Sequence, residues 1–128
     1  MQNGEFCAMA LTEKNPYETV AGALIKVLAR LRDRHADMTL LQAMFFFTVA
    51  QKPGITQREL YEALGSNDSV ASRTLAILSD LGSRNTPGLD LIEMRTNPLD
   101  RRERIVRLTR KGERLMQDIM DDLAAIRR

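Results

Sequence analysis

Apolar residues recur at helical spacing in the N-terminal part of the chain, which predicts two amphipathic helices there. The first extends over residues 15–35, where Asn15 is expected to cap the helix and Pro16 to take its first position. The second is predicted to begin at Thr39 and Gln42, which have the spacing of a capping box, and to end at a Pro-Gly pair. These helices precede the segment that carries the candidate chemistry.

That segment, residues 54–75, has the pattern of two short helices joined by a tight turn. Thr56 and Glu59 have the spacing of a second capping box. Gly65 is suited to the left-handed conformation that ends a helix, and Asn67 can cap the helix that follows. Two capped helices with so short a connection are typical of a helix-turn-helix.

The second helix of this motif is expected to have an apolar and a polar face. The residues predicted to pack inward are Val70, Ala71, Thr74, Leu75, Leu78 and Leu81. Ser69, Ser72, Arg73 and Ala76 then face outward, near the helix end that enters the major groove in helix-turn-helix proteins. Arg73 is the candidate for a bidentate guanine contact. The alternative interpretation is an ordinary amphipathic helix with a solvated arginine.

Two runs of β-compatible residues follow a loop at residues 83–90. Asn97, Pro98 and Asp100 separate the runs, which predicts a β-hairpin with a connection longer than two residues. Such a hairpin after a helix-turn-helix is interpreted as a wing. A last amphipathic helix is predicted from Thr109, its cap, toward the end of the chain.

Length and charge distribution refine this interpretation. The 128 residues suit one domain, residues 1–128, with 54–109 as helix-turn-helix plus wing. The net charge is only +2, yet residues 95–111 hold seven basic and two acidic side chains, a local charge of +5 that leaves −3 for the rest. A basic hairpin on a mildly acidic body indicates phosphate contact, or alternatively a solvated hairpin without a partner.

Three short motifs resemble those of MarR-like winged helix-turn-helix transcriptional regulators. They are Asp100-Arg101-Arg102, the run from Val106 to Gly112 that leads into the last helix, and Ser72-Arg73-Thr74-Leu75. The resemblance covers about residues 38–123. It implies a mainly α fold with a small β-hairpin, and a homodimer whose terminal helices, residues 15–35 and 110–128, interlock. Each subunit would place one helix in the major groove of double-stranded DNA and a wing beside the minor groove.

The residues expected at these two surfaces follow from the motifs and from the resemblance together. The predicted DNA-binding residues are Thr56, Gln57, Asn67, Ser69, Ser72, Arg73, Arg95, Arg101, Arg102 and Arg104. The predicted dimer-interface residues are Val20, Leu24, Val27, Leu115, Ile119, Leu123 and Ile126. A sequence-specific regulator, most often a repressor in this family, is the leading hypothesis. A protein-interaction module and a DNA-binding replication, partition or architectural protein of a mobile element remain alternatives.

Other chemistry has little support in the sequence. No catalytic residue, cofactor or metal ligand set is predicted, since His35 stands alone and no nucleophile or phosphate-loop motif is present. Cys7 has no neighbouring base or cation that would activate its thiol. Asp118, Asp121 and Asp122 are expected to form a solvated helix face. The absence of a long apolar run predicts a cytoplasmic protein of bacterial, archaeal, phage or plasmid origin, without identifying any small-molecule effector.

Overall fold

The computed structural model describes residues 15–127, which form five α-helices and one three-stranded antiparallel sheet. This architecture confirms the predicted mainly α fold with a small β-hairpin. The predictions for residues 1–14, including Cys7, lie outside the described residues. In chain order the elements are α1 (Glu18–Arg34), α2 (Leu40–Gln51), β1 (Ile55–Thr56), α3 (Gln57–Ala63), α4 (Asp68–Leu78), β2 (Ile92–Asn97), β3 (Asp100–Leu108), α5 (Arg110–Leu123) and a 3₁₀ turn (Ala124–Arg127).

The two N-terminal helices differ in how their first turns are capped. α2 has the predicted reciprocal box, in which Thr39 Oγ1 accepts the Gln42 amide and Gln42 Oε1 accepts the Thr39 amide, both at 3.0 Å. α1 begins later than predicted, because Asn15 Oδ1 accepts the amide of Tyr17 at 3.0 Å and Tyr17 occupies the cap position. Asn15 therefore closes a turn before the helix and does not cap it.

α2 is the centre of the hydrophobic core. Phe45, Phe46 and Val49 have no exposed surface, and they belong to one cluster with Leu60 of α3 and Leu75 of α4. Burying a side chain of this size stabilises the fold by about 1.5–3 kcal/mol relative to its exposure. The helix-turn-helix is thus fixed to a rigid support rather than held by its turn alone.

Three residues predicted at a dimer interface are buried inside the single chain instead. Val27 of α1 and Leu115 and Ile119 of α5 are 6%, 1% and 2% exposed. α1 packs against α5, so the chain itself covers these side chains. The other predicted interface residues keep exposed surface: Val20, Leu24 and Ile126, together with the half-buried Leu123.

An ion pair also joins α1 to α5. Arg30 donates from Nε and Nη2 to the two carboxylate oxygens of Asp122, the second bond at 3.0 Å, and its Nη1 lies 3.7 Å from Asp118. The Asp122 side chain is only 8% exposed. The expectation that Asp118, Asp121 and Asp122 form a solvated face is therefore wrong for Asp122. The hydrogen bond from Arg30 holds the pKa of Asp122 below its ordinary value, because it favours the charged carboxylate.

The sheet contains one strand that the sequence analysis missed. β1 pairs antiparallel with β3 through Ile55 opposite Val106 and Thr56 opposite Ile105, so β3 lies between β1 and β2. Two residues are too few to show an alternating pattern. This pairing places the start of α3 directly beside the wing.

The connection at the wing tip is also shorter than predicted. Asn97 is paired with Asp100, so only Pro98 and Leu99 separate β2 from β3. Asn97 Oδ1 accepts the Leu99 amide at 3.0 Å, and a register shift lies between Thr96 and Asn97. Thr96 pairs with Arg104 while Asn97 pairs with Asp100, so this irregularity leaves three residues of β3, Arg101 to Glu103, without a partner in β2.

After α4, residues 82–90 form a loop that leads back to the end of that helix. Leu81, which was predicted to pack inward, is 65% exposed, because α4 ends at Leu78. Gly82 has φ 69°, and the Leu91 amide donates a hydrogen bond to the Leu78 carbonyl at 2.8 Å.

Within the described part of the chain, no helix has both the length and the apolar character needed to cross a bilayer.

Candidate nucleic-acid interface

The turn between α3 and α4 has the geometry that a helix-turn-helix requires. Gly65 adopts φ 65°, and its amide is bonded to the Glu62 carbonyl at 3.3 Å. The Ser66 amide is bonded to the Tyr61 carbonyl at 2.8 Å. These two bonds form a Schellman motif, which satisfies the last carbonyls of α3 and turns the chain sharply. The predicted roles of Gly65 and Asn67 are both confirmed, since Asn67 Oδ1 accepts the Val70 amide at 2.9 Å.

α4 presents a polar face to solvent, as expected of a recognition helix. Its Ala71, Thr74, Leu75 and Leu78 are buried in the core. Ser69, Ser72 and Arg73 are exposed on the opposite side, as the sequence predicted. Two small hydroxyl side chains beside an arginine allow the helix to approach a groove closely while the arginine reaches further.

Gln57, the first residue of α3, ties the two motif helices together. Its Nε2 donates to Asp68 Oδ1 and to Ser72 Oγ, each at 3.1 Å. Asp68 and Ser72 are four positions apart in α4 and therefore lie on one face of the helix. The start of α3 is thereby fixed against the first turn of α4.

The first turn of α3 is itself well ordered by hydrogen bonds. Thr56 Oγ1 accepts the Glu59 amide at 3.0 Å and Glu59 Oε1 accepts the Thr56 amide at 3.1 Å, which confirms the predicted capping box. The bonds from Thr56 hold the pKa of Glu59 below its ordinary value. The Thr56 hydroxyl and the Asn67 side-chain oxygen, both predicted at the DNA surface, therefore already serve as helix caps.

The wing tip projects two arginines, one of which is oriented by an aspartate. Asp100 Oδ1 accepts the Arg102 amide at 3.0 Å and Arg102 Nε at 3.3 Å. The Arg102 side chain nevertheless remains 92% exposed, and Arg101 is exposed beside it. This arrangement holds a guanidinium outward without burying its charge.

A cleft of about 560 Å³ separates the motif helices from the wing. It brings together four of the predicted DNA-binding residues: Gln57, Ser72, Arg102 and Arg104. Arg95 lies apart from this cleft, and its Nη2 is 3.5 Å from the carboxylate of Glu93, which is also 4.0 Å from Arg107 Nε. Arg95 is therefore partly neutralised by its own strand neighbour.

The cleft is also lined by charged residues that the sequence analysis did not select, namely Arg58, Asp68 and Glu103. Arg58 lies on α3, with Nε 3.6 Å from Glu62, and Asp68 is the first residue of α4. The Asn67 cap was a usable signal for Asp68, because the residue after a cap lies at the helix end that approaches DNA. No local signal identified Arg58, because its place beside the wing depends on the pairing of β1 with β3.

Sequence comparison relates the chain to a curated transcriptional regulator. No protein-family model matches the chain. The chain is 32% identical over 88 residues to the transcriptional regulator HosA of Escherichia coli O111:H-, a match that covers 69% of this chain and 59% of that protein. The chain thus spans about three fifths of the length of this curated relative.

Two solved structures illustrate the likeness in three dimensions. The crystal structure of MarR is 27% identical and matches with a TM-score of 0.55, covering 80% of this chain and 74% of that one. The S. aureus MepR–DNA complex is 17% identical with a TM-score of 0.67, covering 88% and 85%. At that identity the second match shows the fold alone, and the DNA in that complex is bound by MepR.

Proposed function

The chain belongs to the MarR-like winged helix-turn-helix transcriptional regulators, and we propose that it is a dimeric repressor that binds double-stranded DNA sequence-specifically. One observation carries the proposal. The exposed Ser69, Ser72 and Arg73 of α4 lie on a capped and rigidly supported helix beside a wing whose Arg102 is held outward by Asp100.

In this proposal α4 enters the major groove. Arg73 makes a bidentate contact with guanine O6 and N7, while Ser69 and Ser72 allow close approach. The free amides at the starts of α3 and α4, beside Thr56 and Asn67, point toward the phosphates that flank the groove. Bases are thus read by the helix, and the backbone contacts fix its register.

The wing supplies affinity in the same proposal. Arg101 and Arg102 reach the minor groove or its phosphates, where a narrow groove concentrates negative potential and attracts guanidinium groups. Arg104 contacts phosphate from the cleft beside α3. Arg95 contributes least, since Glu93 offsets part of its charge.

A homodimer would place two such surfaces on one duplex. α1 exposes Val20, Leu24, Ile25 and Leu28, and α5 exposes Met120. These side chains are in addition to those that α1 and α5 already bury against each other within the single chain. An apolar surface of this kind on a small domain marks an interaction site. We place the interface on these exposed residues, with Ile126 at its C-terminal end.

The relative HosA is a transcriptional regulator, and we propose no catalytic activity for this chain. Its ligand in this proposal is double-stranded DNA in a bacterial, archaeal, phage or plasmid setting, and we propose that it acts in the cytoplasm.

The function is tested by a genome-wide footprint of the protein cross-linked in its host. We expect sites upstream of genes, with inverted half-sites whose centres are about 34–36 Å, or one helical turn, apart. Arg73→Ala should remove these sites while the protein level stays unchanged. If the protein cross-links to no DNA, or if its sites are spread without sequence preference, the regulator proposal is wrong. Capture of an acidic protein through the wing would then support the interaction-module alternative.

A further inference from the structure

Both N–H donors of the Gln57 side-chain amide are used inside the protein. A primary amide has two N–H donors, and those of Gln57 are directed to Asp68 Oδ1 and to Ser72 Oγ. Within residues 15–127, Asp68 Oδ2 takes part in no hydrogen bond or ion pair. Asp68 is an exposed residue, so Gln57 fixes one carboxylate oxygen while the other stays accessible to solvent or to a ligand.

A carboxylate at this position lowers the affinity of the surface for DNA. It repels phosphates, and it lines the same cleft as Arg102 and Arg104 without pairing with either. Asp68 does benefit from its position in the first turn of α4, where the helix dipole favours negative charge. That benefit alone does not require the hydrogen bond from Gln57, which fixes the direction of the carboxylate.

We propose that Asp68 is a specificity-determining residue, whose free oxygen accepts a hydrogen bond from the N4 amino group of a cytosine in the major groove. Gln57 is its positioning residue. The inference rests on the proposed function and names one base that the recognition helix reads.

The choice of cytosine follows from the hydrogen-bonding character of the base edges. An ionised carboxylate only accepts hydrogen bonds. In the major groove, guanine presents the acceptors N7 and O6, and thymine presents the acceptor O4 and a methyl group. Adenine has a donor at N6, but its acceptor N7 lies beside it and repels the second carboxylate oxygen. Cytosine presents the N4 donor without a neighbouring acceptor, so Asp68 favours cytosine and disfavours the other three bases.

This role has a signature that a purely structural residue lacks. Replacing Asp68 by alanine removes a base contact, so affinity for the preferred site falls. The same change removes a repelling charge, so affinity for random duplex rises. A residue needed only for folding would lower both affinities together.

The test is selection of duplexes from a randomised library by the full chain, followed by titration of the selected duplex. We expect the wild type to select a cytosine at one position of each half-site, and Asp68→Ala to lose that preference while keeping the remaining consensus. Asp68→Asn should change the preferred base to adenine, because a carboxamide pairs with adenine N6 and N7. Gln57→Ala should weaken the cytosine preference without changing the base. Glu62→Ala, which removes another exposed carboxylate, should leave the consensus unchanged.

A base analogue provides the second measurement. Replacing that cytosine by 2-pyrimidinone, which lacks the N4 amino group, should weaken wild-type binding by roughly 5- to 100-fold and leave Asp68→Ala unaffected. The inference is overturned if Asp68→Ala, with the unfolding curve of the wild type, selects the same cytosine. Failure of the proposed function gives a different result, because the wild type itself would then enrich no sequence.

Discussion

Arg30 and Asp122 join the first and last α-helices through two hydrogen bonds, although 92 positions separate them in the sequence. Because the pair depends on a charged carboxylate, it makes stability depend on pH. The pKa of Asp122 lies below its ordinary value owing to the hydrogen bond from Arg30, so its contribution is present at neutral pH and is lost as pH falls through the folded-state pKa.

Asp122→Asn should therefore lower the urea midpoint of unfolding at pH 7. The difference from wild type should shrink as the pH is lowered below the ordinary aspartate pKa of about 3.9, since the protonated wild-type residue has lost the same bond. Asp121→Asn is the matched control, because Asp121 is an exposed residue on the same helix. A difference that stayed constant with pH would mean that Asp122 acts through packing alone.

Two helical glycines should respond in opposite ways to the same substitution. A Cβ added at Gly112 of α5 would lie 2.1 Å from the Leu91 carbonyl oxygen, whereas one added at Gly22 of α1 would have no neighbour within 4 Å. Gly112→Ala should cost about 2 kcal/mol or more, as expected when backbone must shift. Gly22→Ala should stabilise by about 0.5–1 kcal/mol through helix propensity. Urea unfolding of both variants checks this, and equal effects would contradict the packing of α5 against the start of β2.

Local signals predicted the helix-turn-helix well. The capping box of Thr56 and Glu59, the turn at Gly65 and the cap at Asn67 all depend on hydrogen bonds between residues close in sequence, so the residue types reveal them. The orientation of Arg102 by Asp100 is equally local, because the two residues lie two positions apart.

Contacts between distant segments were not predictable in the same way. The periodicity of α5 showed that Leu115 and Ile119 lie on an apolar face, but not that α1 of the same chain covers it. The hydrogen bonds between Arg30 and Asp122 also join segments that are far apart in the sequence, and so does the pairing of β1 with β3. For this reason the cleft that unites Gln57 and Asp68 with the wing emerged only from the structure.

The proposed dimer interface is tested by charged substitution of exposed residues. The double variant Leu24→Asp, Leu28→Asp places one charge at a residue that is 49% exposed and one at a residue that is 55% exposed. Leu24 and Leu28 lie outside the core of the single chain, so the variant should still fold. Light scattering should then give the monomer mass of 14.5 kDa for the variant and twice that mass for the wild type. Leu99→Asp, at a 94% exposed position on the wing, should keep the dimer. A wild-type mass of 14.5 kDa at micromolar concentration would rule the dimer out.

Arg73 should determine specificity rather than general affinity. Arg73→Ala is expected to lose about 1–3 kcal/mol at the selected duplex, with little change on random duplex, because a bidentate guanine contact exists only at the correct base. Arg114→Ala removes an exposed arginine from α5 and should change neither value. Equal losses on both duplexes would identify Arg73 as a phosphate contact.

Binding of duplex DNA by the surface formed by α4 and the wing is tested most directly by the salt dependence of affinity. Fluorescence anisotropy with a labelled duplex, between about 50 and 200 mM salt, gives the slope of log affinity against log salt concentration. For the wild type we predict a steep slope, and for the Arg101→Ala, Arg102→Ala double variant a slope lower by roughly one to two units per subunit, with weaker binding to every duplex. A double variant with wild-type affinity and slope would show that the charge of the wing serves another partner.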